Sequence, residues 1–372
     1  MRMCYFRFVK RVLVIIGTRP NFIKVTQMKR AAAEHQIDLH IVHTGQHYDA
    51  NMAEVFFEEF KLVPDTFLPP QQTNVADQIG VIISELSKVM ITQNPQLVVV
   101  VGDVNSTLAG AIAANKLGIR IAHLESGLRS RDRSMPEEIN RVLTDEITNL
   151  FFVTEESGMR HLKEEGKAEE TIHFVGNTMI DTMVAFEHEI DQAQSYRKMG
   201  LDEKGYMLMT FHRPALVDNV EGLNKLIDLL ERAAKLKQVV LPLHPRTKLR
   251  LEAADLWDRF SSIENLTLLG PVGYFEFQNL IKYAFCIVTD SGGIQEETTF
   301  RKIPCLTVRP NTERPSTIDV GTNTLVDIDP GRIIMLIESM IDGTYKSGRI
   351  PDLWDGKATD RIMQVIASQI NN

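Results

Sequence analysis

Short apolar runs alternate with amphipathic segments along the first half of the chain. "RVLVIIG" precedes "PNFIKVTQMKRAAAEH", and "IDLHIVHTG" precedes "NMAEVFFEEFKL". "QLVVVVGD" leads into "STLAGAIAANKLG", "IRIAHLESG" into "PEEINRVLTDEI", and "NLFFVTEES" into "GMRHLKEEG". Fully apolar strands separated by helices of about 10–15 residues predict a parallel sheet covered on both faces. Pro20 and Pro136 suit the first turns of two of those helices. A helical pattern then runs from Asn177 to Gly200 and reads as a bridge, after which the same grammar restarts. "YMLMTFHRP", "QVVLPLHP", "NLTLLGPVGY", "FCIVTDSGG", "IPCLTVRPNTERP" and "TNTLVDID" supply a second set of strands.

The fold class expected is therefore α/β, with two doubly wound parallel-sheet domains in tandem. The expected division is 1–180, a bridge at 181–200, a second domain at 201–354 and a final helix within 355–372. Periodicity leaves that helix, roughly Thr359 to Ile370, free to pack on either domain; the expectation is a return to the first. A length of 372 residues agrees with two cores. A net charge of −8 argues against nucleic acid or an acidic membrane as the main partner.

Three cysteines, Cys4, Cys286 and Cys305, stand far apart without metal-ligand spacing. No apolar run approaches the ~18 residues of a membrane span. The opening "MRMCYFRFVKRVLVIIG" is basic and then apolar, but runs into "GTRPN" without a small-residue cleavage site. A cytoplasmic protein whose first strand starts near Arg11 is expected.

Nearly every apolar run stops in a polar cluster: "GTRPNFIK", "TGQHYD", "GDVNST", "HLESGLRS", "FHRP", "LHPRT", "TDSGG" and "RPNTERP". In open α/β sheets ligands bind beyond the carboxyl ends of the strands. These clusters are expected to line one edge of each sheet, with the two edges facing across a cleft. "TDSGGIQEETTF" is the clearest anion signal, since Ser291, Gly292 and Gly293 open a helix whose free N–H groups and dipole favour a phosphate. A capped helix with a tight turn explains the same residues. The stretch is neither a Walker lysine motif nor a dinucleotide fingerprint, which excludes a P-loop nucleotidase and a nicotinamide enzyme. Glu297, one turn on, is placed to accept from ribose hydroxyls, or is simply a helix acid.

Arg19, Lys24 and Arg314 adjoin strand ends and are candidates for neutralising a diphosphate. Asp103, Glu125 and Glu137 are candidate acids and bases. Asp103 equally suits a helix cap, and Glu137 a helix first turn. His212 ends a hydrophobic strand beside Arg213, and His244 has similar standing with less support.

Taken in order, "GTRPNFIK", "TGQH", "GDVNSTLAG", "HLESGLRS", "PEEINR", "FHRP", "TDSGGIQEE" and "TERP" resemble the non-hydrolysing UDP-N-acetylglucosamine 2-epimerases of bacteria and archaea. The resemblance covers nearly the whole chain. It implies the GT-B architecture of two Rossmann-like domains with an interdomain cleft, UDP bound mainly by the second. It also implies a homodimer that needs no metal and no other cofactor, acting on a UDP-sugar. By the same resemblance Asp103, Glu125, Glu137 and His212 match catalytic or substrate-contacting positions. Arg19, Lys24, Phe277, Ser291, Gly292, Gly293, Glu297 and Arg314 match nucleotide-contacting ones. Which acid serves which face of the sugar C2 stays open.

Several residues depart from the usual pattern. Asn21-Phe22 replaces Glu-Ala, Pro214 a second Arg, and Val272 a glutamine. "NSTLAG", "MPEEINRVLTD" and "LHPRT" look closer to a branch acting on UDP-2,3-diacetamido-glucuronate, whereas "TERP" resembles the GlcNAc enzymes. Asp49 differs from members carrying a second, activating UDP-GlcNAc site, which weakens that expectation. A GT-B glycosyltransferase would share the fold and donor site but would need an acceptor groove or a membrane-facing basic patch, and no amphipathic basic helix is visible.

Overall fold

The computed structural model describes residues 10–46, 56–70 and 73–371. Cys4 and Asp49 lie outside them. The chain forms two compact units: residues up to Ala185 together with those from Asp352 make the first, and Phe186–Pro351 the second.

The first unit is built on β1 (Arg11–Ile16), β2 (Asp38–His43), β3 (Thr66–Phe67), β4 (Leu97–Val101), β5 (Arg120–Leu124), β6 (Leu150–Val153) and β7 (Ile172–Phe174). Their order in the sheet is β3-β2-β1-β4-β5-β6-β7, and every pairing is parallel. All five residues of β4, LVVVV, are buried, as a central strand covered on both faces requires. The second unit contains β8 (Tyr206–Thr210), β9 (Gln238–Pro242), β10 (Leu266–Leu269), β11 (Cys286–Thr289), β12 (Cys305–Val308) and β13 (Asn323–Val326). The order there is β10-β9-β8-β11-β12-β13, again parallel throughout. Both sheets reverse their winding at the middle, between β1 and β4 and between β8 and β11. A ligand crevice is expected at such a switch point.

Cys286 and Cys305 lie fully buried, and burial pushes the Cys305 thiol up to about 11, so neither is a reactive thiolate at neutral pH. No described helix is long and apolar enough to cross a membrane.

The helical pattern from Asn177 to Gly200 is not one bridging helix. It breaks into Thr178–Ala185, Glu187–Ala193 and Ser195–Lys198. Phe186 leaves helical geometry and packs its ring 5.3 Å from Phe275, while Gln194 turns left-handed at φ 46°. Buried Asn279 repairs the second break: its Nδ2 donates to Ile190 O at 2.8 Å and its Oδ1 accepts from the Tyr196 amide at 3.4 Å. A helix end left without such partners inside a core would be costly.

At Asp352 the chain re-enters the first unit. Trp354 Nε1 donates to Thr154 O at 2.9 Å across 200 residues of sequence. The final helix, Ala358–Asn371, is capped by buried Asp181, which accepts from the amides of Ala358 (3.1 Å) and Thr359 (2.5 Å). It packs against the helices Met28–Glu34 and Thr178–Ala185. Trp354→Ala is expected to remove about 3–5 kcal/mol from the first unit, read as an earlier urea transition by circular dichroism.

Candidate active site

In the first unit the site grows from the turns after β1, β4 and β5. After β1, Asn21 accepts from the Gly17 amide (3.3 Å) and the Thr18 hydroxyl (3.1 Å), and donates to Val101 O at the end of β4 (3.1 Å). One side chain thus ties together the ends of the two strands that flank the switch point. One turn further along the helix Arg19–Val25, Lys24 Nζ lies 2.5 Å from Glu125 Oε2, with the side chains only 6% and 3% exposed. Glu125 itself adopts φ 71°, a left-handed conformation unusual outside glycine, as its backbone turns away from β5. Its Oε1 is buried without a hydrogen-bond partner among the described residues. A buried carboxylate with one oxygen paired and the other open is suited to proton exchange with a bound molecule.

Asp103 follows Gly102 at the end of β4. Its Oδ2 lies 2.5 Å from Arg141 Nη2, and its carbonyl accepts from Asn140 Nδ2 at 2.9 Å. Both partners belong to the helix Pro136–Glu146. Glu137 is exposed on that helix, at the spacing that shares a face with Asn140 and Arg141. Its neighbour Glu138 is buried and takes the structural part: it accepts from the amides of Ser130 (2.8 Å) and Arg131 (3.0 Å) and from Arg141 Nη1 (2.9 Å). Burial would raise the Glu138 carboxyl, but these partners hold it below the ordinary value.

The arginines of this stretch divide the same way. Arg129 is buried in a fork on Glu165 (2.9 and 2.6 Å), Arg141 bridges Asp103 and Glu138, and Arg131 and Arg133 are exposed. Arg19 is exposed, its guanidinium stacked 4.1 Å above the ring of Phe56.

In the second unit the site follows β8, β11 and β12. Asp290, at the end of β11, is fully buried. Its Oδ2 accepts from the amides of His212 and Arg213, both at 2.8 Å, and its Oδ1 lies 3.0 Å from His212 Nδ1. Burial acts to raise this carboxyl, yet the imidazole and the two amides hold it below the usual range. With Nδ1 turned to the carboxylate, Nε2 of the 40% exposed His212 is the nitrogen left for chemistry. The His244 ring stands 5.5 Å away, with its Nδ1 accepting from the Arg246 amide at 3.1 Å. Asp290 was absent from the candidate residues named by sequence. An acid closing an apolar strand was the available signal, and only the β8–β11 register pairs it with His212.

Ser291 caps the helix Gly292–Arg301 without using its hydroxyl on the first turn. A Cβ on Gly292 would stand 3.1 Å from Arg314 Nη1, so the guanidinium lies against the helix N-terminus. Arg314 is held there by Glu313 and by Glu296, whose Oε2 is 2.9 Å from its Nε. Arg309 Nη2 donates to Glu313 at 3.1 Å, and burial beside Arg213 and Arg314 depresses the Arg309 guanidinium. Three arginines and the first turn of a helix without a side-chain cap face two glutamates at this sheet edge, a setting favourable to an anion. Glu297 is buried within the same helix, and Phe277 lies half-buried on the helix Tyr274–Tyr283, which packs beside it.

The structure therefore gathers Lys24, Asp103 and Glu125 at one sheet edge, and His212, Ser291, Gly292, Gly293 and Arg314 at the other. Among the described residues no cluster of three or more His, Cys, Asp or Glu side chains could hold a metal.

Lys24→Met would strand the buried Glu125 carboxylate and is expected to cost about 3–5 kcal/mol in the first unit. Adding Glu125→Gln should recover most of that loss in the same urea titration.

A family model described as UDP-N-acetylglucosamine 2-epimerase matches residues 29–367. The chain is 39% identical over 371 residues to a UDP-N-acetylglucosamine 2-epimerase of Methanocaldococcus jannaschii, covering 96% of this chain and 98% of that one. It is 37% identical over 365 residues to a UDP-2,3-diacetamido-2,3-dideoxy-D-glucuronate 2-epimerase of Pseudomonas aeruginosa, covering 96% and 99%. Among solved structures, the Methanocaldococcus jannaschii enzyme in complex with UDP-GlcNAc and UDP superposes with a TM-score of 0.87, covering 96% of this chain and 99% of that one.

Proposed function

Because the chain belongs to the UDP-N-acetylglucosamine 2-epimerase family of isomerases, we propose that it interconverts UDP-GlcNAc and UDP-ManNAc by elimination and re-addition of UDP. A carboxylate takes the C2 proton while the C1–O bond to UDP breaks, leaving 2-acetamidoglucal. The UDP oxygen then re-forms the bond to C1 as a proton returns to the opposite face of C2. Two acid–base groups are needed because removal and return use different faces. Asp103, Glu125 and Glu137 are the carboxyl candidates, and the open Oε1 favours Glu125 for one face.

The observation that carries this reading is the second unit's anion cradle. An arginine is fixed on a helix N-terminus that has no side-chain cap, beside a carboxylate-oriented imidazole. Negative charge builds on the departing diphosphate, and donors already in place stabilise it without reorganisation. Ser291, Gly292, Gly293 and Arg314 supply the cradle. Arg19 and Lys24 add cationic charge, Phe277 and Glu297 take the uridine, and His212 serves the phosphate or the sugar through Nε2. The reading makes the enzyme a cytoplasmic homodimer supplying surface-polysaccharide precursors.

A second reading, C2 epimerisation of a UDP-2,3-diacetamido-glucuronate, is favoured by Asn21-Phe22 and by the Pseudomonas relative. Asn21 makes its three bonds within the strand ends and leaves Lys24 to Glu125.

Proton NMR of the enzyme with UDP-GlcNAc in D2O tests the first reading. UDP-ManNAc signals should grow with deuterium entering at C2. An unchanged spectrum from folded, UDP-binding protein would sink it and turn the test to the diacetamido uronate. Asp290→Asn should lower kcat by about 10²–10⁴-fold, since His212 loses the partner that fixes its tautomer.

A further inference from the structure

Asp145 stands behind both carboxylate-bearing turns of the first unit. It lies in the last turn of the helix Pro136–Glu146 and is 1% exposed. Its Oδ1 is 2.6 Å from His123 Nδ1, and His123 Nε2 donates to the Gly102 carbonyl at 2.7 Å, one residue before Asp103. Its Oδ2 accepts from the Gly127 amide at 3.0 Å, two residues after Glu125, and lies 2.8 Å from Arg129 Nη2. One carboxylate thus reaches the Asp103 turn through an imidazole and the Glu125 turn directly.

The Glu125 turn is also clamped from behind. The Gly127 carbonyl accepts from His161 Nδ1 at 2.8 Å. Gly127 sits at φ 78°, where an added Cβ would come within 2.4 Å of Gly158 O. The turn has no room to drift, and its position follows from what holds its amide.

His123 has an acceptor on each side, a carboxylate at Nδ1 and a carbonyl at Nε2, so both ring nitrogens donate. Burial would raise Asp145, but His123, Arg129 and the Gly127 amide together hold it well below the ordinary carboxylate value. A buried carboxylate with three donors on two oxygens is rigid in a way that a water-exposed one is not.

Resting on the epimerase reading, we infer that Asp145 and His123 form a positioning bracket that sets the separation of Asp103 and Glu125. Buried as they are, both act through those carboxylates, not on the substrate. The bracket converts two independent loop ends into one unit of fixed spacing. A displacement of about 1 Å at either acid is enough to cost ~10²-fold in rate.

The test compares Asp145→Asn, His123→Gln and the double variant, each checked for folding by circular dichroism and for UDP affinity by calorimetry. Each single variant should lose about 10²-fold in kcat while KM stays within about threefold. The double variant should be no slower than the slower single one, because the two residues act together. Unchanged kcat, a rise in KM alone, or additive losses would overturn the bracket. A measurement on the unmodified protein stands apart from folding of the variants: ¹⁵N-histidine NMR should show His123 protonated on both ring nitrogens. A singly protonated His123 also overturns the inference. Absence of turnover by the unmodified enzyme on either UDP-sugar would instead count against the epimerase reading, and the His123 spectrum would then decide the bracket by itself.

Discussion

A parallel sheet covered by helices on both faces offers water only its strand ends. Every chemical feature of this protein follows from that constraint. β4 is buried along its whole length, so nothing polar can be placed until Gly102. β11 is likewise buried along its whole length, and hydrogen-bonding polarity begins with its last residue, Thr289, and with Asp290. Functional groups are therefore forced into the turns after β1, β4 and β5 and after β8, β11 and β12. The two switch points choose among those turns, since the crossover helices diverge there and leave the strand ends uncovered.

Placing charges at the margin of an apolar core brings a second requirement, that each be partnered. Lys24 answers Glu125, Arg141 answers Asp103 and Glu138, and His212 answers Asp290. Such pairs add little net stability, because desolvation offsets most of the attraction. Their value lies in fixed geometry: dipoles and charges already oriented need not reorganise as charge develops. The Arg314 guanidinium shows the same principle, pinned by Glu313 and Glu296 against the first turn of a helix.

The adjacent acids Glu137 and Glu138 show where a one-dimensional reading loses resolution. Both sit in a helix first turn, where either satisfies the dipole. A 100° step of the helix sends one to solvent and the other into the amides of Ser130 and Arg131. The segment Asn177–Gly200 teaches a similar lesson. Its helical pattern is continuous, but it is divided at Phe186 and again at Gln194, where Asn279 bridges the break, and the first division coincides with the boundary between the units.

Alternating apolar and amphipathic segments that break off and restart were enough to indicate two parallel α/β units, because fully apolar strands separated by helices belong to sheets covered on both faces. The polar strand ends determined where chemistry would be found, and eight ordered motifs determined the family. Pairing was decided only in three dimensions. Asp290 serves His212 across 78 residues, Asp145 serves His123 across 22, and Trp354 returns to Thr154 across 200. Hydrophobic periodicity reports which face of an element is buried, whereas a hydrogen bond depends on which two elements lie side by side, and that is a property of the tertiary packing.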